Sequence, residues 1–123
     1  MSFLNAALIL TNTIILVSGQ FLWKFGLQHT PPSFASVGSI IKMFFNPFIF
    51  SGLVMYGLAT ILWLYILTRV PLSIAYPLQS IAYVLAVFGA FFVFDEPLTT
   101  FKIIGVLLIV AGVSLIGVAG NQI

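Results

Sequence analysis

The sequence predicts an all-α integral membrane protein, a four-helix transmembrane bundle with a short interfacial helix between helices 1 and 2. Three observations predict this fold class. Of the 123 residues, 62% are hydrophobic and 5% are charged, whereas a soluble domain carries roughly 25% charged residues. Four segments are apolar over the length of about 20 residues that a helix needs to cross the hydrocarbon core. The connections between these segments are short and hold nearly all of the charges.

The four predicted spans make up a single transmembrane domain that covers residues 1–123. We expect helices, because in lipid each backbone N–H and C=O group must find its partner inside the same segment. The strand-length alternation of apolar and polar residues that is typical of a transmembrane β-barrel is not visible. The predicted helices cover about residues 3–27, 47–68, 72–94 and 100–119.

The stretch between the first two spans, residues 28–46, is too short and too polar at its start to cross the membrane. The Pro-Pro-Ser sequence at 31–33 indicates a helix start, and the apolar residues after it share one face, while Lys42 lies off that face. This pattern predicts a short interfacial helix at about residues 33–45. An ordered loop, or an N-terminal extension of the second helix, is the alternative.

The orientation in the membrane follows from the lysines and arginines of the loops, because cytoplasmic loops carry an excess of them. The first and third loops share one side and hold Lys24, Lys42 and Lys102, whereas the second loop holds Arg69. The count of three against one favours both termini outside the cytoplasm. The bias is small, so single and dual topology both remain open.

The third predicted span carries a narrow polar and aromatic stripe. Tyr76, Gln79, Ser80 and Tyr83 stand at i, i+3, i+4 and i+7, which places them on one face of a helix. The residues between and after them are apolar, so this face turns to something other than lipid, and we interpret it as one wall of a polar path. For the two tyrosines, core packing with a satisfied hydroxyl group is the alternative.

Pro77 lies one turn into the third span, and we expect it to bend the helix. It has no N–H group to donate to the carbonyl oxygen of Ser73, so that acceptor is left free. A bent helix beside a cavity is a recurring arrangement in transporters. The alternative is a kink near a helix start that has no functional consequence.

The first span repeats the theme, with Asn12, Leu16, Gln20 and Lys24 at steps of four residues. Polar residues inside a span cost free energy unless they face the interior of a bundle. Gln20 is therefore either a pathway residue or a partner in a helix–helix hydrogen bond, and both remain open. Lys24 lies near the helix end, where its side chain either extends to the lipid headgroups or meets an anionic group such as a phosphate.

The second span places Tyr56, Thr60 and Trp63 on one face. Aromatic side chains at such positions line a pocket in some membrane proteins and anchor helices at the membrane–water interface in others. On the first interpretation Tyr56 and Trp63 are candidate binding residues. On the second, Trp63 is an interface anchor, since it lies close to the Arg69 end of the helix.

The fourth span is different, because it holds no charged residue beyond Lys102. Gly105 and Gly112 share a face at a spacing of seven residues, and Ala119 follows after another seven. Small residues let membrane helices approach each other closely. The pattern predicts that this face is a packing or dimerisation surface.

The composition excludes several kinds of site. With no cysteine there is no disulfide, no thiolate metal site and no cysteine nucleophile. One histidine and the adjacent Asp95 and Glu96 are too few ligands for a metal cluster, and a net charge of +2 gives no nucleic-acid footprint. We therefore expect no enzyme, no metal or other cofactor and no nucleic-acid partner. Because no carboxylate lies inside a predicted span, a proton carrier of the usual kind is also missing.

The sequence resembles the four-helix members of the drug/metabolite transporter superfamily over nearly its whole length. These include the small multidrug resistance proteins and the subunits of the aminoarabinose-phosphoundecaprenol flippase. The resemblance is carried by Ser18-Gly19-Gln20 with Lys24, the run from Val70 to Pro77, Glu96-Pro97-Leu98-Thr99, and Gly105 with Leu108-Ile109 and Gly112-Val113.

By this resemblance, Tyr76 stands where the multidrug exporters have a substrate-contacting tyrosine, and Gln79 where they have a tryptophan of the cation-binding cage. Leu16 stands in place of their essential glutamate, and Ile81-Ala82-Tyr83 replaces the Gly-x-Gly kink of their third helix. These departures argue against proton/aromatic-cation antiport. The flippase subunits are similar in the Gly-Gln pair of the first helix, in the Val-Pro…Ala-Tyr-Pro run and in the Glu-Pro pair.

The resemblance implies a multi-pass transporter of the bacterial inner membrane that works as a dimer. The leading function is alternating-access transport of an amphiphilic, phosphate-bearing solute such as a polyprenyl-phosphate sugar. The alternatives are a small-molecule or cationic-drug exporter and a non-transporting subunit of a heteromeric membrane complex. The implied partners are a lipid-linked or small-molecule substrate, membrane lipids, and a second copy of the chain or a paralogue. The candidate substrate-binding residues are Gln20, Lys24, Tyr56, Trp63, Tyr76, Gln79, Ser80 and Tyr83, and the candidate dimer-interface residues are Gly105 and Gly112.

Overall fold

The computed structural model describes residues 2–29 and 35–120. Within these ranges the chain forms helices and no strand, which confirms the predicted all-α fold class. Four segments have the length and apolar composition to cross a membrane, and the third of them, Leu72–Phe94, is divided into two helices. The helices are α1 Phe3–His29, α2 Val37–Met43, α3 Pro47–Leu67, α4 Leu72–Leu78, α5 Ile81–Phe94 and α6 Thr100–Gly120.

The closest packing in the bundle is between α1 and α3. A Cβ atom added at Gly52 would lie 2.8 Å from the carbonyl oxygen of Gly19 and 2.5 Å from the indole ring of Trp23. The two backbones approach this closely only because glycine occupies the contact. The Trp23 Nε1–H group donates a 3.0 Å hydrogen bond to the carbonyl oxygen of Ile49, which fixes the register of the pair.

The predicted interfacial helix is shorter in the structure than the expected range of 33–45. The helix α2 begins after Ser36, whose hydroxyl oxygen accepts a hydrogen bond from the Ser39 N–H group at 3.2 Å, as in a standard N-cap. It ends at Met43, and residues 33–34 lie outside the described residues. Its position in the membrane interface stays a prediction.

The third span has the predicted bounds, Leu72–Phe94, and within it Gln79 and Ser80 separate the two helices α4 and α5. Gln79 and Ser80 have ψ angles of −16° and −8°, the values of a tight 3₁₀ turn and not of an α-helix. The Ser80 N–H group donates to the Pro77 carbonyl oxygen at 3.0 Å, and the Tyr83 N–H group donates to the Ser80 carbonyl oxygen, also at 3.0 Å. The distortion expected from Pro77 therefore falls two to three residues after the proline, as a break and not as a smooth bend.

A small apolar core ties the ends of the helices together. Its buried members come from α1, the end of α3, the connection after α3 and the start of α4, and they are Ile9, Ile66, Val70, Ile74 and Ala75. Ile116 of α6 packs against this cluster, and α6 also contacts α5. Many other large apolar side chains are exposed, as in a bundle whose outer surface faces lipid.

Candidate functional site

A cavity of about 570 Å³ lies between α1, α3 and the break between α4 and α5. Its wall combines polar and aromatic side chains with small or aliphatic ones. It is lined by Leu16, Val17, Gln20, Tyr56, Tyr76, Pro77, Gln79, Ser80, Ala82, Tyr83 and Ala86. Six of the eight substrate-binding residues predicted from the sequence are therefore brought together here, and Lys24 and Trp63 are outside this lining.

The helix break presents the polar stripe of the third span to the cavity. Tyr76 precedes the break, Gln79 and Ser80 form it, and Tyr83 follows it, and all four line the same space. The Ser80 hydroxyl group donates to the carbonyl oxygen of Pro77, one of the acceptors that a broken helix leaves without its usual partner. The hydroxyl oxygen of Ser80 remains available as a hydrogen-bond acceptor facing the cavity.

Two amide side chains from different helical segments line the cavity. Gln20 on α1 is exposed and Gln79 is half-buried, and neither side chain has a hydrogen-bond partner among residues 2–29 and 35–120. The helix–helix hydrogen bond that was the alternative role for Gln20 is not formed within this part of the chain. Each amide offers one acceptor and two donor hydrogens to a bound molecule.

Aromatic contacts hold two of the cavity tyrosines in place. Tyr56 stacks on Trp23 with a centroid distance of 5.7 Å, and Tyr76 meets the edge of Trp63 at 6.3 Å. Trp63 is half-buried against the apolar core, and it does not line the cavity.

The cavity is open on one side. Tyr76 and Tyr83 are 65% and 63% exposed in the single chain, although both line the cavity. A phenol ring with that exposure in a membrane span faces either lipid or another protein chain. One copy of the chain therefore does not enclose the cavity.

Lys24 lines a second cavity of about 310 Å³ at the end of the bundle where α5 joins α6. Glu96 and Lys102 line it as well, and Ala86 lines both cavities, so the two spaces adjoin. The Lys102 ammonium group donates a 2.7 Å hydrogen bond to the carbonyl oxygen of Pro97. Among the described residues Lys24 forms no ion pair, so this end of the site carries two lysines and one carboxylate.

Lys102 is a site residue that the sequence pattern did not identify. It was counted among the loop charges and was not predicted to bind substrate, because nothing in its local sequence relates it to Lys24. The signal that could have found it is topological: the start of the fourth span and the end of the first lie on the same side of the membrane. Two short loops on one side bring their charges together.

Asn12 is a second residue that the predicted site did not include. It lies one turn from Leu16 on the same helix face, it is fully buried, and neither its side-chain oxygen nor its side-chain nitrogen has a hydrogen-bond partner within the described residues. A buried polar group without a partner costs about 1–3 kcal/mol. Buried polar atoms in native proteins are normally paired with protein or with an ordered water molecule.

The chemistry of the cavity is hydrogen bonding and aromatic contact. No carboxylate is among its lining residues, since Asp95 and Glu96 both follow α5. Within residues 2–29 and 35–120, no group of three or more side chains of the histidine, cysteine, aspartate and glutamate types lies close enough to hold a metal ion. The main cavity offers hydrogen-bonding groups and aromatic surface, and the second cavity offers two ammonium groups beside one carboxylate.

Gly105 and Gly112 lie on α6, away from both cavities. A Cβ atom at either position would meet no other atom within 4 Å. The face that carries them is therefore open in the single chain, and its assignment as a dimer interface stays a prediction.

Four segments of spanning length, three of which line a half-open cavity, form the architecture expected of a small multi-pass membrane transporter. The chain belongs to the EamA-like transporter family, whose sequence profile matches residues 39–118. The expected relationship to the drug/metabolite transporter superfamily is thereby confirmed. The expected location as a multi-pass protein of the inner membrane is confirmed as well.

Several relatives carry the name "Probable 4-amino-4-deoxy-L-arabinose-phosphoundecaprenol flippase subunit ArnE". The one from Pseudomonas aeruginosa (strain LESB58) is 34% identical over 114 residues, which are 93% of this chain and 97% of the relative. The one from Enterobacter sp. (strain 638) is 42% identical over 66 residues, 54% of this chain and 62% of the relative. The one from Sodalis glossinidius (strain morsitans) is 44% identical over 67 residues, 54% of this chain and 60% of the relative. These relatives are named as flippase subunits and not as enzymes, and no solved structure matches the chain with significance.

Proposed function

We propose that the chain moves a phosphate-bearing amphiphile, such as a polyprenyl-phosphate sugar, across the inner membrane. The observation that carries the proposal is the convergence of six predicted polar and aromatic side chains on one cavity that adjoins the Lys24–Lys102 cavity. The names of the relatives, which refer to an aminoarabinose attached to phosphoundecaprenol, support this class of solute.

In this proposal the main cavity binds the sugar of the solute, and the second cavity binds its phosphate. Gln20, Gln79 and Ser80 offer hydrogen bonds to the hydroxyl and amino groups of a sugar, and the tyrosine rings offer flat apolar surface to its C–H faces. Lys24 and Lys102 offer ammonium donors to the phosphate. The open side beside Tyr76 and Tyr83 leaves room for the prenyl chain to stay in the lipid.

Transport of this kind needs a second chain. The cavity is open towards the lipid in one copy, so a second copy or a paralogue on that side would enclose it, and the open glycine face of α6 is available to hold the pair. We infer that the two chains rock against each other, so that the cavity faces each side of the membrane in turn.

The test is a lipid-flipping assay in proteoliposomes with a fluorescent polyprenyl-phosphate sugar, with the chain reconstituted alone and with its paralogue. We expect Gln79→Ala and Lys24→Ala each to lower the rate about tenfold, the effect of losing one well-made hydrogen bond to a polar or charged group. Gln28→Ala and Lys42→Ala are the matched controls, because each removes the same chemistry from an exposed position outside both linings. Unchanged rates in both cavity variants would contradict the proposal.

The same assay separates the two alternatives. The three tyrosines of the cavity favour an aromatic or quaternary cation through cation–π contacts, so a cationic-drug exporter is the second candidate. It predicts uptake of a cationic dye that is driven by a proton gradient and abolished by a protonophore. A non-transporting subunit predicts no flux from the chain alone and flux with a partner, at a rate that Gln79→Ala and Lys24→Ala leave unchanged.

A further inference from the structure

A cluster of polar side chains surrounds Arg69 at the end of the bundle opposite Lys24. Asn5 lies at the start of α1, whereas Lys24 lies near its end, so the two sites are on opposite sides of the spanning segments. The Arg69 Nε–H group donates to the Asn5 side-chain oxygen at 2.8 Å. The Nη1 group donates to the Tyr65 hydroxyl oxygen at 3.0 Å, and the guanidinium carbon lies 5.6 Å from the centroid of the Tyr65 ring.

These contacts fix the guanidinium group without neutralising it. Both hydrogen-bond acceptors are neutral oxygens, and the Nη2 group has no partner among the described residues. The carboxylates of Asp95 and Glu96 lie between α5 and α6, at the other end of the bundle. The positive charge of Arg69 therefore has no carboxylate beside it in the part of the chain that the structure describes.

A cavity of about 270 Å³ opens beside this guanidinium group. The Ser2 hydroxyl group and the Asn5 amide group line it, and no acidic side chain does so among the described residues. Within residues 2–29 and 35–120, the residues that line it are Ser2, Asn5, Arg69, Val70, Pro71, Ile74 and Gly120. A planar guanidinium group held at two nitrogens, with hydroxyl and amide groups next to it, is suited to bind the oxygens of a phosphate.

The position of the cavity indicates where the phosphate comes from. Arg69 lies in the short connection between the second and third spans. Connections of this length between two spanning segments lie at the membrane surface, where the lipid headgroups are.

We propose that the Arg69 cavity binds the phosphate group of an anionic membrane amphiphile, at the membrane face opposite Lys24. The site is separate from the transport cavity, since the two linings share no residue. It does not depend on the proposed function, because a lipid bound at this position stabilises the ends of α1, α3 and α4 whether or not the chain transports a solute.

The test measures retained lipid on the full chain. The protein is purified in phosphatidylcholine nanodiscs with increasing phosphatidylglycerol, and bound phosphatidylglycerol is counted by native mass spectrometry. We expect Arg69→Ala to weaken retention about tenfold, because several charge-assisted hydrogen bonds are lost. Arg69→Lys keeps the charge without the fork of donors, so it should retain part of the binding. Lys42→Ala, which removes the same charge from an exposed position on α2, should leave retention unchanged.

Two further arms make the result decisive. Tyr65→Phe removes only the hydroxyl group that holds the guanidinium, and we expect a smaller loss of retention from this variant, which keeps every charge. Inorganic phosphate added to phosphatidylcholine nanodiscs identifies the source of the phosphate group. If it protects the wild-type chain but not Arg69→Ala from thermal unfolding, free phosphate is a ligand. If it protects neither, the ligand is the lipid headgroup. Equal phosphatidylglycerol retention by Arg69→Ala and wild type, or an equal loss in Lys42→Ala, would overturn the proposal.

Discussion

Two pairs of glycines lie on helix faces of this chain, and their surroundings are opposite. Gly19 and Gly52 meet across α1 and α3, where a Cβ atom at either position would lie 3.2 or 2.8 Å from the carbonyl oxygen of the other. A Cβ atom at Gly105 or Gly112 on α6 would meet nothing within 4 Å. The same residue type therefore closes an interface in one half of the bundle and leaves a helix face open in the other.

This difference separates the part of the bundle that shapes the cavity from the part that is available to a partner. Gln20 directly follows Gly19, and Tyr56 lies one turn after Gly52, so the close contact of α1 and α3 sets the position of two cavity side chains. No residue of α6 lines the main cavity. In this chain, glycine forms a close contact between two helices in one place and leaves a helix face open in another. Only the neighbouring atoms distinguish the two cases.

The largest effect is expected from Gly52→Ala. The new methyl group would lie 2.8 Å from a backbone oxygen and 2.5 Å from the Trp23 ring, so the two helices must separate. Overpacking of this kind costs about 1–3 kcal/mol, and here it also loosens the Trp23–Ile49 hydrogen bond. We expect a lower unfolding midpoint in nanodiscs and a lower transport rate, because Gln20 and Tyr56 move with the helices.

The matched control for this variant is Gly57→Ala. Gly57 lies on the same helix, and a Cβ atom there would meet nothing within 4 Å. Alanine in a helix loses less backbone entropy than glycine on folding, so this variant should keep or slightly raise the unfolding midpoint. Equal midpoints for Gly52→Ala and Gly57→Ala would break the comparison, because the α1–α3 contact would then be no tighter than an open face.

Most of the cavity could be predicted from the sequence because helical periodicity is a local property. The steps from Tyr76 to Tyr83 place four side chains on one face, and that relation survives the break between α4 and α5. The position of the break could not be predicted from Pro77 alone. It also depends on Ser80, whose hydroxyl and N–H groups both bond to the carbonyl oxygen of Pro77.

The rest of the site depends on contacts between distant parts of the chain. Trp63 shares a helix face with Tyr56, but its ring contacts Tyr76 of another helix and does not line the cavity. Lys24 meets Lys102 and Glu96 only because α5 and α6 join at its end of the bundle. Periodicity contains no information about such neighbours, so it could not show that Lys24 and Trp63 lie outside the lining of the main cavity. The binding roles of all eight candidate residues stay predictions.

We expect a smaller change in stability, and of opposite sign, from Asn12→Leu. This variant tests whether the tightly packed half of the bundle holds a water molecule beside Asn12. Asn12 is fully buried with both side-chain polar atoms unpaired in the described chain, so replacing it with an apolar residue of similar size should raise stability by about 1 kcal/mol. Thr13→Val is the control, since Thr13 is equally buried but donates to the Ile9 carbonyl oxygen at 2.8 Å. A lower unfolding midpoint for Asn12→Leu would mean that a water molecule or a ligand pairs with this amide.

We expect the smallest change in stability from Gly112→Leu. The same variant tests whether α6 forms a contact between two chains. The surroundings of Gly112 are open, so the new side chain has nothing to collide with. The free energy of unfolding should therefore change by no more than about 0.5 kcal/mol, as is usual for surface substitutions. If α6 holds two chains together, the same side chain forces their backbones apart, and the dimer dissociation constant should rise about tenfold. Single-molecule photobleaching in nanodiscs counts the chains, with Gly57→Leu adding the same bulk to an open position on α3 as the control. If the two variants dimerise equally well, the open glycines of α6 do not form the contact between the chains.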